Sequence, residues 1–376
     1  MRAINSIYRA IATAVCTLVL ASCGVHEIPN EKPVFPERIT YPVVLYLDYN
    51  TELPLYTTVE DKIPARASMA ANYDVRYTIE IYEVIDTYLN TRLFYSREVM
   101  TRDDVNTLSH SRLINLPEGK FEIYVWTDYV DSGSTADKFY NTTKFDVITV
   151  QNHVGNNDFR DAFAGSLKTD VTPLTTELRV TSGRPVAKFN FITTDLDRFI
   201  DHLLEMEAEA NAESNNNSNT GGGNSSAADN SNSNDLSGAE SSTSAQDPTR
   251  GIKIEEYKIV FRYSQFMPNE FDIFSYIPIY ALPNITFEST IKPLSLTEAE
   301  LGFDYVFVNG EEFTLPISLE VYDREGKRIS GINPIEVPLM RSQLTTVRDN
   351  FLTSQASGGI GINPSFNGPD HIFEVP

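Results

Sequence analysis

Cysteine is nearly absent: 376 residues carry two, Cys16 and Cys23. Both fall within the first 23 positions, so the rest of the chain has no pair to oxidise and no thiolate for a metal site. Lysine and arginine number 30 against 52 acidic residues, a formal charge of −22 at pH 7. A chain this acidic is repelled by phosphate backbones and anionic headgroups, which excludes nucleic acid as a partner. No apolar run reaches the roughly 20 residues that a membrane-crossing helix needs. The five histidines, His26, His110, His153, His202 and His371, show no metal-ligand spacing. Gly-x-Ser-x-Gly, a phosphate-cradling glycine loop and His-Glu-x-x-His are all missing. No cofactor and no enzymatic activity are expected.

What is present begins at the N-terminus. Arg2 and Arg9 lead into an apolar run from Ala10 to Leu20, suited to a secretory signal and too short to span a bilayer. It ends in Leu20-Ala21-Ser22-Cys23, which resembles a bacterial lipobox. That likeness implies cleavage between Ser22 and Cys23, removal of residues 1–22, and acylation of Cys23 on its sulfur and on its new amino terminus. One acyl chain holds a protein only marginally, whereas two or more hold it stably. Loss of Arg2 and Arg9 with the leader makes the chain two charges more negative.

Residues 23–41 read as a polar tether marked by Pro29, Pro33 and Pro36. Strand signals follow. Val43 to Leu47 is an apolar β-rich run, and Arg76 to Val84 alternates, with Tyr77, Ile79 and Ile81 on one face and Thr78, Glu80 and Tyr82 on the other. Leu93 to Val99, Phe121 to Trp126, Phe145 to Val150, Thr176 to Val180 and Arg184 to Thr193 are further strands, with a turn at Pro117-Glu118-Gly119-Lys120. Leu196, Phe199, Ile200, Leu203 and Leu204 then make a helical stripe. Thr194 is the expected N-cap, and this short helix is expected to close a first domain over 42–206.

Residues 207–249 are rich in Asn, Ser and Gly, with no Lys or Arg between Arg198 and Arg250. Too little apolar surface is present to offset ordering entropy, so a disordered linker or insertion is expected. A second domain is expected over 250–376, with strands at Tyr257–Tyr263, Phe271–Ile279, Ile285–Ile291, Phe303–Val308, Phe313–Tyr322, Lys327–Ile329, Pro334–Leu339, Leu344–Leu352 and Phe366–Val375. Short strands punctuated every eight to twelve residues point to an all-β chain with two sandwiches.

Two motifs bear on chemistry. Trp126-Thr127-Asp128-Tyr129 offers a sugar platform with an acid nearby, making Trp126 and Tyr129 candidate glycan contacts; an aromatic strand end of this kind also packs a sandwich. Asp103-Asp104 and Glu311-Glu312 lie beside turn-like segments, while a hydrolase needs two carboxylates at a defined separation.

Several segments together resemble the fimbrillin-like lipoproteins of the Bacteroidetes. They are Gly119-Lys120-Phe121-Glu122-Ile123-Tyr124-Val125-Trp126-Thr127-Asp128-Tyr129-Val130, Arg160 to Gly165, Arg184 to Phe189, and the closing stretch Val337 to Thr353. In this order behind a lipobox the chain is similar to the anchor and accessory branch, the Mfa2/FimB-like proteins. The resemblance implies two transthyretin-like Greek-key sandwiches and a place in surface filaments, lipid-anchored to the outer membrane and exposed on the cell. Its partners would be fimbrial subunits, joined by β-strand addition in which main-chain hydrogen bonds give affinity. Shaft subunits of that family lose a first strand by cleavage after arginine. Here Arg38 and Arg66 flank the first strand, and a cut after Arg66 would part the body from its lipid, which argues against processing in an anchor. The second reading is a surface glycan-binding lipoprotein of a polysaccharide-uptake system, with a host or glycan ligand.

Overall fold

The computed structural model describes residues 38–55, 72–86, 88–89, 91–218 and 247–353. The lipobox (Leu20, Ala21, Ser22, Cys23), most of the tether, Arg66 and the strand expected over 366–375 lie outside the described residues.

Nineteen strands lie among the described residues. The first nine are β1 (Thr40–Tyr49), β2 (Tyr73–Asp86), β3 (Thr91–Arg102), β4 (His110–Pro117), β5 (Gly119–Asp131), β6 (Tyr140–Asn141), β7 (Ile148–Val150), β8 (Phe163–Val171) and β9 (Glu177–Gly183). Then come β10 (Val186–Thr193) and the helix α1 (Leu196–Ser218). After it stand β11 (Lys258–Tyr263), β12 (Met267–Asp272), β13 (Ile277–Leu282), β14 (Thr286–Thr290), β15 (Lys292–Pro293), β16 (Ala299–Phe307), β17 (Phe313–Tyr322), β18 (Arg328–Leu339) and β19 (Leu344–Asp349). The chain is all-β but for α1 and two single turns of 3₁₀ helix among the described residues.

The first core is built in layers. One sheet runs β3-β2-β5-β8-β9-β1-β4, and it turns a corner at β8–β9, where only Ala164↔Gly183 and Gly165↔Ser182 pair. A Cβ on Gly165 would sit 2.5 Å from the Ser182 hydroxyl, so the crossing requires glycine. Past the corner, β1 runs parallel to β9 and antiparallel to β4. Tyr77, Ile79 and Ile81 face this second arm, and Tyr49 of β1 reaches across to the Thr127 hydroxyl at 2.9 Å. The opposite face of β2 and β5 is also covered, by a small sheet ordered β13-β12-β7-β6. Trp126 meets Tyr140 and Phe271 there, with ring centroids 5.3 and 6.2 Å away. Hence Thr78 and Glu80, at alternate positions that would face water in a two-layer sandwich, are buried.

The second core is a conventional pair of sheets, β15-β16-β10-β19 and β14-β11-β17-β18. The sheet of β14, β11, β17 and β18 keeps the in–out alternation of a sheet with one wet face: in β11, Ile259, Phe261 and Tyr263 are buried while Lys258 and Arg262 are exposed. Strand β16 is buried on both faces, because Phe303, Tyr305 and Phe307 meet the first core while Leu301 and Val306 meet the second. Leu196, Phe199, Ile200 and Leu203 of α1 pack into this core.

The halves of the sequence are therefore interleaved. Strand β10, from before the polar segment, pairs with β16 and β19 from after it. In return β12 pairs with β7, and Phe271, Phe303 and Phe307 enter the first core. The division between the cores falls near Gly183–Val186, so α1 belongs to the second core instead of closing the first. It is also longer than expected, running to Ser218 into the segment read as linker from 207. Thr194 does not cap it; that hydroxyl donates to Asn350 at 3.0 Å, drawn off by the neighbouring strand end. Asp195, whose carbonyl receives Phe199 N–H, turns its carboxylate to the Leu352 and Thr353 amides at 3.3 and 2.8 Å.

Candidate functional site

Strand edges are where a β protein receives another chain, because their outer N–H and C=O groups have no ladder partner. The edges here differ in chemistry. Edge β3 carries Arg92, Arg97, Glu98 and Arg102, and edge β4 carries Arg112. Edge β14 is five residues long and carries Glu288, paired with Lys258. Charge and brevity are what blunt an edge. Strand β13, Ile-Pro-Ile-Tyr-Ala-Leu, has no charged residue. Ile277, Ile279 and Tyr280 are 43%, 45% and 54% exposed. Among the described residues β13 pairs only with β12 and presents its other side unpaired. Pro278 removes one donor, as prolines on edges do, and the pairing with β12 shifts register between Pro268 and Glu270 and again between Glu270 and Phe271.

The hairpin that carries β13 is pinned from several directions. Sequence reading ran one strand from Phe271 to Ile279; instead Asp272 ends it. The Asp272 carboxylate accepts from the Phe274 and Ser275 amides at 2.9 and 3.3 Å, and Tyr276 N–H donates to the Asp272 carbonyl at 2.8 Å. Tyr276 takes the left-handed conformation, φ 60°. That strain is held by its surroundings. The Tyr276 hydroxyl lies 3.1 and 3.2 Å from the carbonyls of Ala164 and Gly183, at the β8–β9 corner, which share its proton. Burial pushes that phenol up to about 12, so it is a donor at any physiological pH. Arg341 stands over the Tyr276 ring, 4.5 Å from its centroid, and donates to the Tyr276 carbonyl at 2.9 Å. On the other flank, Phe274 fits beneath Arg92, whose guanidinium is 3.8 Å from the ring centroid.

The segment that follows β1 is bolted to the same region. Arg184 donates to the carbonyls of Thr51 and Glu52, both at 2.9 Å, while its Nε and Nη2 grip Asp161. Leu344 N–H donates to the Pro54 carbonyl at 3.0 Å. Arg160, fully buried, pairs with Asp304, which also accepts from the Tyr263 hydroxyl, so one carboxylate ties the first core to the second. The resemblance segments at 160–165, 184–189 and 337–353 meet at this junction.

Trp126 and Tyr129 are elsewhere. They are 0% and 1% exposed, packed in the first core, and present no face to a sugar. The third layer, unseen in the sequence, covers Trp126, while Tyr129, on the other face of β5, packs against Phe159 with ring centroids 5.2 Å apart. Asp128, the acid between them, is buried in a two-pronged pair with Arg76, at 2.8 and 2.6 Å. Asp103, Glu311 and Glu312 are exposed and Asp104 half-buried, and Asp104 accepts the Asn106 amide in a turn. Among the described residues no three His, Cys, Asp or Glu converge as for a metal ion. No described helix is long and apolar enough to cross a membrane.

A family model matches residues 45–375. The chain belongs to the family of unknown function DUF6562. Among solved structures, this DUF6562 member is similar to a candidate adhesin from Bacteroides ovatus, at 9% identity over 82% of this chain and 89% of the other, with a TM-score of 0.41. It is also similar to the fimbrial anchor protein Mfa2 from Porphyromonas gingivalis, at 11% identity over 77% and 82%, TM-score 0.34. A candidate polysaccharide-binding protein from Bacteroides thetaiotaomicron gives 8% identity over 77% and 80%, TM-score 0.38. These likenesses are distant. No curated protein matches the chain.

Proposed function

We propose that this protein is a non-enzymatic surface lipoprotein of the fimbrial anchor or accessory kind. Cys23 carries the lipid, the tether of residues 23–41 extends the body from the outer membrane, and β13 receives a strand from a filament subunit. The observation that carries the reading is the uncharged, half-exposed edge of β13, held in place by Tyr276 and Arg341. Strand addition draws affinity from main-chain hydrogen bonds and register from side chains such as Ile277 and Ile279. The pairing of β1 between β4 and β9, and the hold of Arg184 on Thr51 and Glu52 just after it, agree with an anchor that keeps its first strand and so stays on its lipid.

Two substitutions in the producing cell test this. Cys23→Ser moves the protein from the membrane fraction to the soluble fraction; equal membrane retention would refute the anchoring. Ile279→Lys places a charge on the accepting edge and lowers filament retention on cells about tenfold, with filaments recovered from the medium. Because Ile279 is half exposed, folding stability changes by no more than about 0.5 kcal/mol. Filaments still cell-bound with Ile279→Lys would remove β13 from the mechanism.

A further inference from the structure

A groove of about 450 Å³ lies between α1 and the β17–β18 turn. Its floor is apolar: Phe199, Leu203, Met206, Tyr257, Ile329 and Leu352. Met206 is 44% exposed, an apolar side chain in a site where a covering group would remove it from water. The rim is charged and near balance. Arg324 donates to Glu207 at 2.8 Å and Arg328 faces Glu320 at 3.2 Å, while Lys327 has no ion pair among the described residues.

Two segments run on from this neighbourhood. Residues 219–246, after α1, contain one large apolar residue, Leu236, and cannot cover such a floor. The other starts in the groove itself, since Leu352 is part of the floor and Asp195 fixes the Leu352 and Thr353 amides. Residues 354–376 open with the turn-formers Gly358, Gly359, Gly361, Asn363 and Pro364. The apolar residues Phe366, Ile372, Phe373 and Val375 follow, with Asp370 and Glu374 among them. The dozen residues between Thr353 and Phe366 span up to roughly 40 Å when extended, ample to double back.

We propose that the segment 366–375 of the same chain folds back into this groove, its phenyl rings on the floor and Glu374 beside Lys327. The segment thereby clamps α1 against the β17–β18 turn. This goes beyond the anchoring reading and stands or falls without it.

The test uses the full chain with a photo-reactive benzoylphenylalanine at position 373. Irradiation is expected to join it to Met206, Tyr257 or Ile329 of the same molecule, and a mixture of heavy- and light-isotope protein is expected to give no mixed adduct. Met206→Asp, at an exposed position that leaves the fold intact, is expected to cut the yield about tenfold by putting an unpaired charge under the rings. Adducts elsewhere on the body, mixed heavy–light adducts from a second copy, no adduct, or a yield indifferent to Met206→Asp would each overturn the proposal.

Discussion

The two cores solve the burial of polar side chains in opposite ways. In the first, Arg76–Asp128 and Arg184–Asp161 are ion pairs with both partners no more than 5% exposed, and Glu122 is buried beneath Arg92 and Lys168. Around the second core the pairs lie on the rim: Arg250–Asp201, Lys258–Glu288 and Arg324–Glu207 are all more than 40% exposed on both sides. The cause is the number of layers. In a two-layer sandwich alternate residues of each strand reach water, whereas the sheet of β2 and β5 is covered on both faces, so its polar alternates must find partners. Such pairs roughly break even against well-packed apolar groups, yet losing one partner strands a buried charge. The first core is thus specified by its charges and the second by shape and area.

Removing one buried partner sharpens that contrast most. Asp304→Ala leaves Arg160 charged and the Tyr263 hydroxyl without its acceptor, and is expected to cost about 3–5 kcal/mol in urea denaturation. Replacing both members, Arg160→Met with Asp304→Leu, is expected to cost markedly less; equal costs would show that packing, not stranded charge, sets the penalty. In the second core Leu319→Ala opens a cavity worth about 3 kcal/mol, and Leu319→Met is tolerated within about 1.5 kcal/mol.

Legibility in the sequence divides along the same line. In the sheet with one wet face β11 and β14 alternate and β17 does so over its second half, and these three were readable within a residue or two. The positions of β2 and β5 were readable too, but not the covering of their second face. Nothing in Thr78 or Glu80 announces that a hairpin some 190 residues later lies over them. Strand β4 escaped notice because His-Ser-Arg-Leu-Ile-Asn-Leu-Pro has little β-branched content, and β8 because Gly165 and Lys168 interrupt it. The turn inside Phe271–Ile279 depends on an Asp272 cap within an apolar run, a local signal overshadowed by the run itself. Of the candidate site, Phe271–Ile279 was read as one strand, without the turn that divides it or the continuation to Leu282. Its place on an edge is a property of topology alone.

A smaller effect tests how tightly the cores are joined. Gly155 approaches the second core so closely that a Cβ would stand 2.1 Å from the Phe287 ring, which is stacked on Phe261 at 4.6 Å. Next to it, Asn156 N–H donates to the Phe303 carbonyl at 2.7 Å. Gly155→Ala is expected to cost about 1–3 kcal/mol through overpacking. No change would mean that the loop yields and that the arginine junction alone carries the coupling.

The smallest effect is one of pH, and its sign follows from His153. Burial, helped by the nearby positive Arg160 and opposed by Asp304, holds the His153 imidazole below its ordinary 6.5. Its Nδ1 is buried and has no hydrogen-bond partner. The unfolded chain therefore binds a proton near pH 6.5 while the folded chain does not. Stability falls as pH drops through that point and levels off only below the folded value. His110, lowered by burial and by Arg102 and Arg112, adds in the same direction. Urea midpoints at pH 7 and pH 5 are expected to show the loss, and His153→Gln to reduce it while His110 leaves a remainder. A variant as pH-sensitive as the parent would place the proton-linked instability at His110 and not at the join between the cores.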